Sequence, residues 1–167
     1  MYYIIELNLY INYIMKFGDK WGPTCWIFFH CLAERVKEES FKEMYPIILK
    51  IIKDICAILP CPDCRLHATH ILNSYGYFHL ITNKNAFKNF LFEFHNLVNS
   101  RTGKLVQNKE ILDHYKNYNF RKATADWYNH FTVNTYDVKL IWEKKERNKV
   151  RSEILRILHD KVEHFSI

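Results

Sequence analysis

Several familiar features are scarce or missing in this chain, and each absence narrows what it can be. Only four glycines occur in 167 residues, at positions 18, 22, 76 and 103, and they fall between helical patterns. Five cysteines is a low and odd count, which excludes a disulfide-dense secreted scaffold. The apolar opening MYYIIELNLYINYIM lacks an early basic cluster, carries Glu6 and has no small-residue cleavage site, so it does not read as a signal peptide. It is also too short and too interrupted to span a bilayer. Repeats and low-complexity tracts are missing, and no βαβ alternation is visible. The default expectation is a cytosolic protein, with Met1 or Met15 as the true start.

What is present is a folded composition. Hydrophobic residues make up 49% and aromatics 16% of the chain, enough for one domain with a real core. Lys and Arg number 24 against 18 acids, a net charge of +6 that lies largely beyond residue 100. No nucleic-acid motif accompanies that charge, and no nucleic-acid partner is expected.

Apolar residues recur at helical spacing from residue 21 onward. Pro23, with Gly22 before it, suits a first helical position and opens a helix through about Lys37. Ser40-Phe41-Lys42-Glu43 has capping-box spacing, and Ile47, Ile48, Ile51, Ile52, Ile55 and Leu59 follow as a stripe. A third helix starts within Cys61-Pro62-Asp63 and runs to about Leu72. A fourth begins near Asn83, buries Phe87, Phe90, Leu91, Phe94 and Val98, and stops at Gly103. A short fifth covers Lys109 to Tyr118. The stretch from Phe120 to Tyr136 shows no clear period. Val150, Ile154, Ile157, Leu158 and Val162 then mark a last amphipathic helix with a basic opposite face. The expected fold is all-α: a four-helix bundle plus a short fifth helix, with a helical C-terminal extension. Its divisions are an arm at 1–16, whose alternation is strand-like, a domain at 17–118 and an extension at 119–167.

The chemistry concentrates in Leu59-Pro-Cys-Pro-Asp-Cys-Arg-Leu-His-Ala-Thr-His70. Cys61, Cys64, His67 and His70 are spaced by three, which suggests zinc. On a helix, however, three steps of about 300° carry His70 to the face opposite Cys61, so the four cannot meet at one ion. A zinc-stabilised helical binding module with a basic face stays as the alternative. As a staple, a C-x-x-C disulfide closes too small a loop to add much stability. Redox chemistry is its usual role, because a thiol at a helix N-terminus is favoured as thiolate. A thioredoxin fold would place the motif after a strand, and here it follows a helix.

Three segments together resemble the Erv/ALR family of FAD-linked sulfhydryl oxidases. They are Trp21-Gly-Pro-Thr-Cys-Trp-Ile-Phe-Phe-His30, the CPDC segment, and His95-Asn-Leu-Val-Asn99 followed by Lys104. They are similar to the family's W-G-x-x-x-W-x-x-x-H, C-x-x-C-x-x-H and H-N-x-V-N-x-x-x-x-K patterns, in that order. The cysteine segment is most similar to small versions encoded by large DNA viruses that replicate in cytoplasm.

The resemblance implies FAD as cofactor, held by Trp21, Gly22, Thr24, Trp26, His30, His67, His95, Asn96, Val98, Asn99, Lys104 and Tyr115. The chain has no Gly-x-Gly-x-x-Gly, so a bundle interior rather than a Rossmann turn would hold it. Cys61 would receive the substrate thiol and Cys64 would face the flavin, with dioxygen as final acceptor and hydrogen peroxide as product. The implied setting is host cytoplasm (the virus factory) or the virion, and the implied assembly a homodimer. Cys25 and Cys31 lie six apart on one helix, roughly 9 Å along its axis and beyond the reach of a disulfide. Cys25, Cys31 and Cys56 therefore read as small buried residues. A thioredoxin-like dithiol protein would then serve as shuttle.

Overall fold

The computed structural model describes residues 20–131 and 138–167, with side chains from 143 onward in the second stretch. The strand-like arm expected at 1–16 lies outside the described residues. Helix α1 spans Trp21–Arg35, two residues ahead of the expected start. Pro23 is tolerated there because first-turn amides have no partner inside the helix. Phe28, Phe29, Cys31, Leu32 and Ala33 of α1 are buried.

Helix α2, Phe41–Ala57, buries most of the expected stripe: Ile48, Ile51, Ile52 and Ile55 are inaccessible or nearly so, and Leu59 just past the helix end is also buried. Ile47 is only half-buried, and Met44 joins the buried face. Helix α3 runs Pro62–Ser74 and α4 runs Lys84–Arg101. Asn83 caps α4 by accepting the Ala86 N–H at 2.9 Å. Past its end Gly103 takes φ +67°, a conformation that costs other residues steric strain. Helix α5, Ile111–Lys116, is shorter than expected.

Two features were not expected. The stretch after Phe120 contains a helix, α6, Phe120–His130, capped by Asn119 accepting from the Lys122 N–H. It buries Phe120, Ala123 and Trp127, and Trp127 stacks on Phe28 of α1 with centroids 4.5 Å apart. The Ser40–Glu43 capping box does not form, because the C-terminal segment takes both partners. Ser40 Oγ is hydrogen bonded with His164 Nδ1 at 3.0 Å, and Glu43 accepts from Lys161 at 3.0 Å.

That segment follows helix α7, Val138–Asp160. Phe165 bridges to Val36 and stacks on Phe120, and the Ser166 N–H donates to the Arg35 carbonyl at 2.7 Å. Ile154 and Leu158 of α7 are buried as expected, but the basic face is not simply solvated. Arg147 and Arg151 are 1% and 8% exposed. Arg147 pairs with Glu143, and the Arg151 guanidinium lies over the Tyr128 ring at 3.9 Å. Val162, expected in the apolar stripe, is exposed in a short 3₁₀ turn. Among the described residues, no helix is long and apolar enough to cross a membrane.

Candidate redox site

Cys61 is the N-cap of α3. Its extended backbone (φ −99°, ψ 114°) turns the chain into the helix, and its Sγ accepts the Cys64 N–H at 3.2 Å. Pro62 occupies the first helical position, where a missing N–H costs nothing. The turn brings the two cysteines together as a disulfide, with Cα atoms 5.2 Å apart. His67 is half-buried one turn on, and His70 is exposed on another face. Among the described residues, no group of three or more His, Cys, Asp or Glu is placed to hold a metal.

Cys64 lines a cavity of about 760 Å³ between α1, α3, α4 and α5; Cys61 does not. One wall is a stack of flat rings. Trp26 and His95 lie parallel, with centroids 4.0 Å apart, and Phe94 meets Trp26 edge-on. Behind them His30 is bonded through Nε2 to His95 Nδ1 at 3.3 Å and stacks on Tyr115 at 4.4 Å.

Burial first, then the neighbouring His95 and Lys88, lowers the His30 pKa to about 3. Burial and then Lys104 lower that of His95 to about 4. Both imidazoles are therefore neutral at pH 7, and the wall is uncharged. Burial pushes the Tyr115 phenol up to about 12, so it too stays neutral.

Of the residues expected at the cofactor, Trp21, Gly22, Trp26, His67, His95, Val98, Asn99, Lys104 and Tyr115 line this cavity. Thr24, His30 and Asn96 do not. The Thr24 hydroxyl donates to the Lys20 and Trp21 carbonyls within its own helix. His30 is 3% exposed and supports His95 from behind. The Asn96 amide donates to the Gln107 carbonyl and its oxygen accepts the Gln107 N–H, both at 2.9 Å. This clamp, with the Lys104 N–H bonded to the Asn99 carbonyl at 2.9 Å, fixes the turn that carries Lys104.

Sequence reasoning missed Arg101 and Gln107, which also line the cavity. Arg101 stands three residues before Lys104, and that pairing of cations beside Asn99 was the available signal. Cys25 and Cys56 were expected to be buried core, and they are; both also reach the cavity wall. Burial raises the pKa of Cys25 well above its ordinary value and pushes Cys31 and Cys56 up to about 12. All three are free thiols.

Residues 23–123 match the Erv1 / Alr family, more than half of the chain. Over 89 residues the chain is 28% identical to the 347L protein of Invertebrate iridescent virus 6, whose name describes an FAD-linked sulfhydryl oxidase; the match covers 50% of this chain and 80% of that protein. Over 97 residues it is 26% identical to 096R of Invertebrate iridescent virus 3, similarly named, covering 58% and 66% respectively. Over 87 residues it is 35% identical to the FAD-linked sulfhydryl oxidase of African swine fever virus (isolate Warthog/Namibia/Wart80/1980), covering 52% and 71%. No solved structure matches the chain.

Proposed function

The chain belongs to the Erv1 / Alr family, and from that premise we propose that it is an FAD-linked sulfhydryl oxidase that forms disulfides in protein substrates. The observation that carries this reading is the asymmetry of the cysteine pair. Cys64 opens on an aromatic-walled cavity and Cys61 lies outside it.

The donor set fits FAD. Neutral rings at Trp26 and His95 suit a flat heterocycle, and Arg101 and Lys104 offer cations to a diphosphate. A Cβ built on Gly22, which also lines the cavity, would meet no atom within 4 Å beyond its chain neighbours and its own helix backbone. The bound flavin would supply the two-electron acceptor for the Cys61–Cys64 dithiol and hand the pair to dioxygen, giving hydrogen peroxide.

The chain's own sulfurs carry the exchange steps. A substrate thiolate attacks Cys61 Sγ, which forms a mixed disulfide and frees Cys64 as a thiolate inside the cavity. A second substrate thiol attacks the mixed disulfide, leaving Cys61 reduced and the substrate oxidised. The α3 N-terminus stabilises sulfur anions at this turn. Cys25, Cys31 and Cys56 stay protonated in the core and do not relay electrons. The shuttle is then a separate thioredoxin-like dithiol protein. The working assembly is a homodimer, and the setting is viral, in host cytoplasm or the virion. Cytosol keeps thiols reduced, so stable disulfides there need a dedicated oxidase.

A zinc-stabilised module is not favoured, since among the described residues no group of three or more His, Cys, Asp or Glu is placed to hold a metal. The deciding experiment combines an absorbance spectrum with oxygen consumption on dithiothreitol. Cys61→Ser and Cys64→Ser should each abolish turnover, and Cys25→Ser should keep it. A colourless protein that takes up no added FAD would sink the cofactor assignment. Turnover by either of the first two variants would overturn the cysteine roles.

A further inference from the structure

The C-terminal helix reaches the redox turn. Arg65, the residue after Cys64, folds its guanidinium back over the turn. Its Nε and Nη2 donate to the Leu59 carbonyl at 3.3 and 3.0 Å, which ties residue 59 to residue 65 around both cysteines. The same Nη2 donates to Glu143 Oε2 of α7 at 3.1 Å. That oxygen also accepts from Arg147 Nη1 at 3.4 Å. The Arg65 and Glu143 side chains are 28% and 16% exposed, whereas the surface pair Lys50–Asp54 is 67% and 39% exposed. A pair so withdrawn from water is screened less and couples more strongly to what surrounds it. Helix α7 lies beyond the family match, which ends at residue 123.

We propose that Glu143 is a positioning residue for the Cys61–Cys64 couple. Through Arg65 it holds the turn shut and sets how readily the disulfide accepts a thiol. This rests on the redox reading of that pair. The Arg65 cation, bonded to the Leu59 carbonyl at the start of this turn, favours sulfur anions and hence the reduced form, and the Glu143 carboxylate offsets it. Neutralising Glu143 leaves the cation uncompensated at the turn, so the couple becomes a stronger oxidant.

The test uses the full chain in glutathione buffers, with the thiols trapped by alkylation. Two glutathione thiols give two electrons to the Cys61–Cys64 bond, their protons pass to the cysteine sulfurs or, for a sulfur held as thiolate, to water, and glutathione disulfide forms. Glu143→Gln should shift this equilibrium about tenfold toward the dithiol, equivalent to about 30 mV. Arg65→Gln should shift it the other way. Adding Glu143→Gln to Arg65→Gln should change nothing further. Thermal midpoints of the same variants separate stability from redox effects.

The proposal fails if Glu143→Gln lowers the midpoint and leaves the exchange equilibrium in place. It fails equally if the two substitutions act independently. Should Glu143→Gln not fold, Arg65→Gln alone decides, and an unchanged equilibrium overturns the idea. If the equilibria shift as expected but wild-type protein with FAD consumes no oxygen, the positioning role stands and the oxidase reading falls.

Discussion

Mild acid should destabilise this fold through two histidines. His30 and His95 have pKa values lowered to about 3 and about 4 from an ordinary 6.5, chiefly by burial. The folded protein resists protonation at both rings, whereas the unfolded chain takes up protons once the pH drops below 6.5. Their contribution is therefore complete above pH 6.5 and is lost as the pH falls toward the folded values. At pH 5 neither ring is protonated in the fold, so each unfolded imidazole gains about 2 kcal/mol from proton uptake, about 4 kcal/mol for the pair. That is a large share of the about 5–15 kcal/mol that holds a typical domain together. Urea unfolding at pH 7 and pH 5 measures it. A His30→Phe variant keeps an aromatic ring against Tyr115 but removes one titrating group, and it should lose about 2 kcal/mol less over the same interval. Equal pH sensitivity in the two proteins would refute the reasoning. Staying at pH 5 keeps carboxylates with lowered pKa values, such as Glu43 and Asp113, out of the window.

Two further outcomes are expected. Trp26→Ala removes one flat ring from the cavity wall and should weaken FAD binding about tenfold, taking about 1.5 kcal/mol for one aromatic contact with the flavin. Fluorescence titration checks it, and an unchanged Kd would remove Trp26 from the site. Trp127→Ala should cost about 3–5 kcal/mol in urea unfolding, because the ring is fully buried against Phe28 and Phe131. A loss under about 1 kcal/mol would mean α6 is not part of the core.

Where the sequence was readable, one local pattern was enough. The isoleucine stripe of α2 and the Phe87, Phe90, Leu91, Phe94 stripe of α4 repeat often enough to define a buried face. Pro62 at the start of α3 and Gly103 after α4 are punctuation of known meaning. Helix α6 escaped notice because its buried face has only three members, Phe120, Ala123 and Trp127, set among Arg121, Lys122, Asp126 and Asn129. The Ser40 cap failed because a residue more than a hundred positions later competes for it, which no local window contains. Burial of Arg147 was equally invisible, since its partner is Glu143, one turn earlier, whose carboxylate also holds the distant Arg65. At the site, nine of the twelve residues expected at the cofactor line one cavity, but the motif does not distinguish a residue on the cavity wall from one that braces it. Thr24, His30 and Asn96 spend their polar atoms on the protein, and only the hydrogen bonds reveal that.

The five cysteines show how one fold keeps similar thiols chemically apart. Cys25 and Cys56 reach the same cavity wall as Cys64, so a place on the cavity does not by itself set a sulfur apart. Burial does. Without a helix N-terminus or a cation close enough to outweigh desolvation, Cys25, Cys31 and Cys56 are held as thiols. Cys61 and Cys64 sit instead on the first turn of α3, only half-buried, with an amide aimed at one sulfur and the Arg65 guanidinium bonded to the Leu59 carbonyl just before the pair. The one disulfide among the described residues joins a sulfur outside the cavity to one on its wall, while Cys25 and Cys56 line the same space as free thiols.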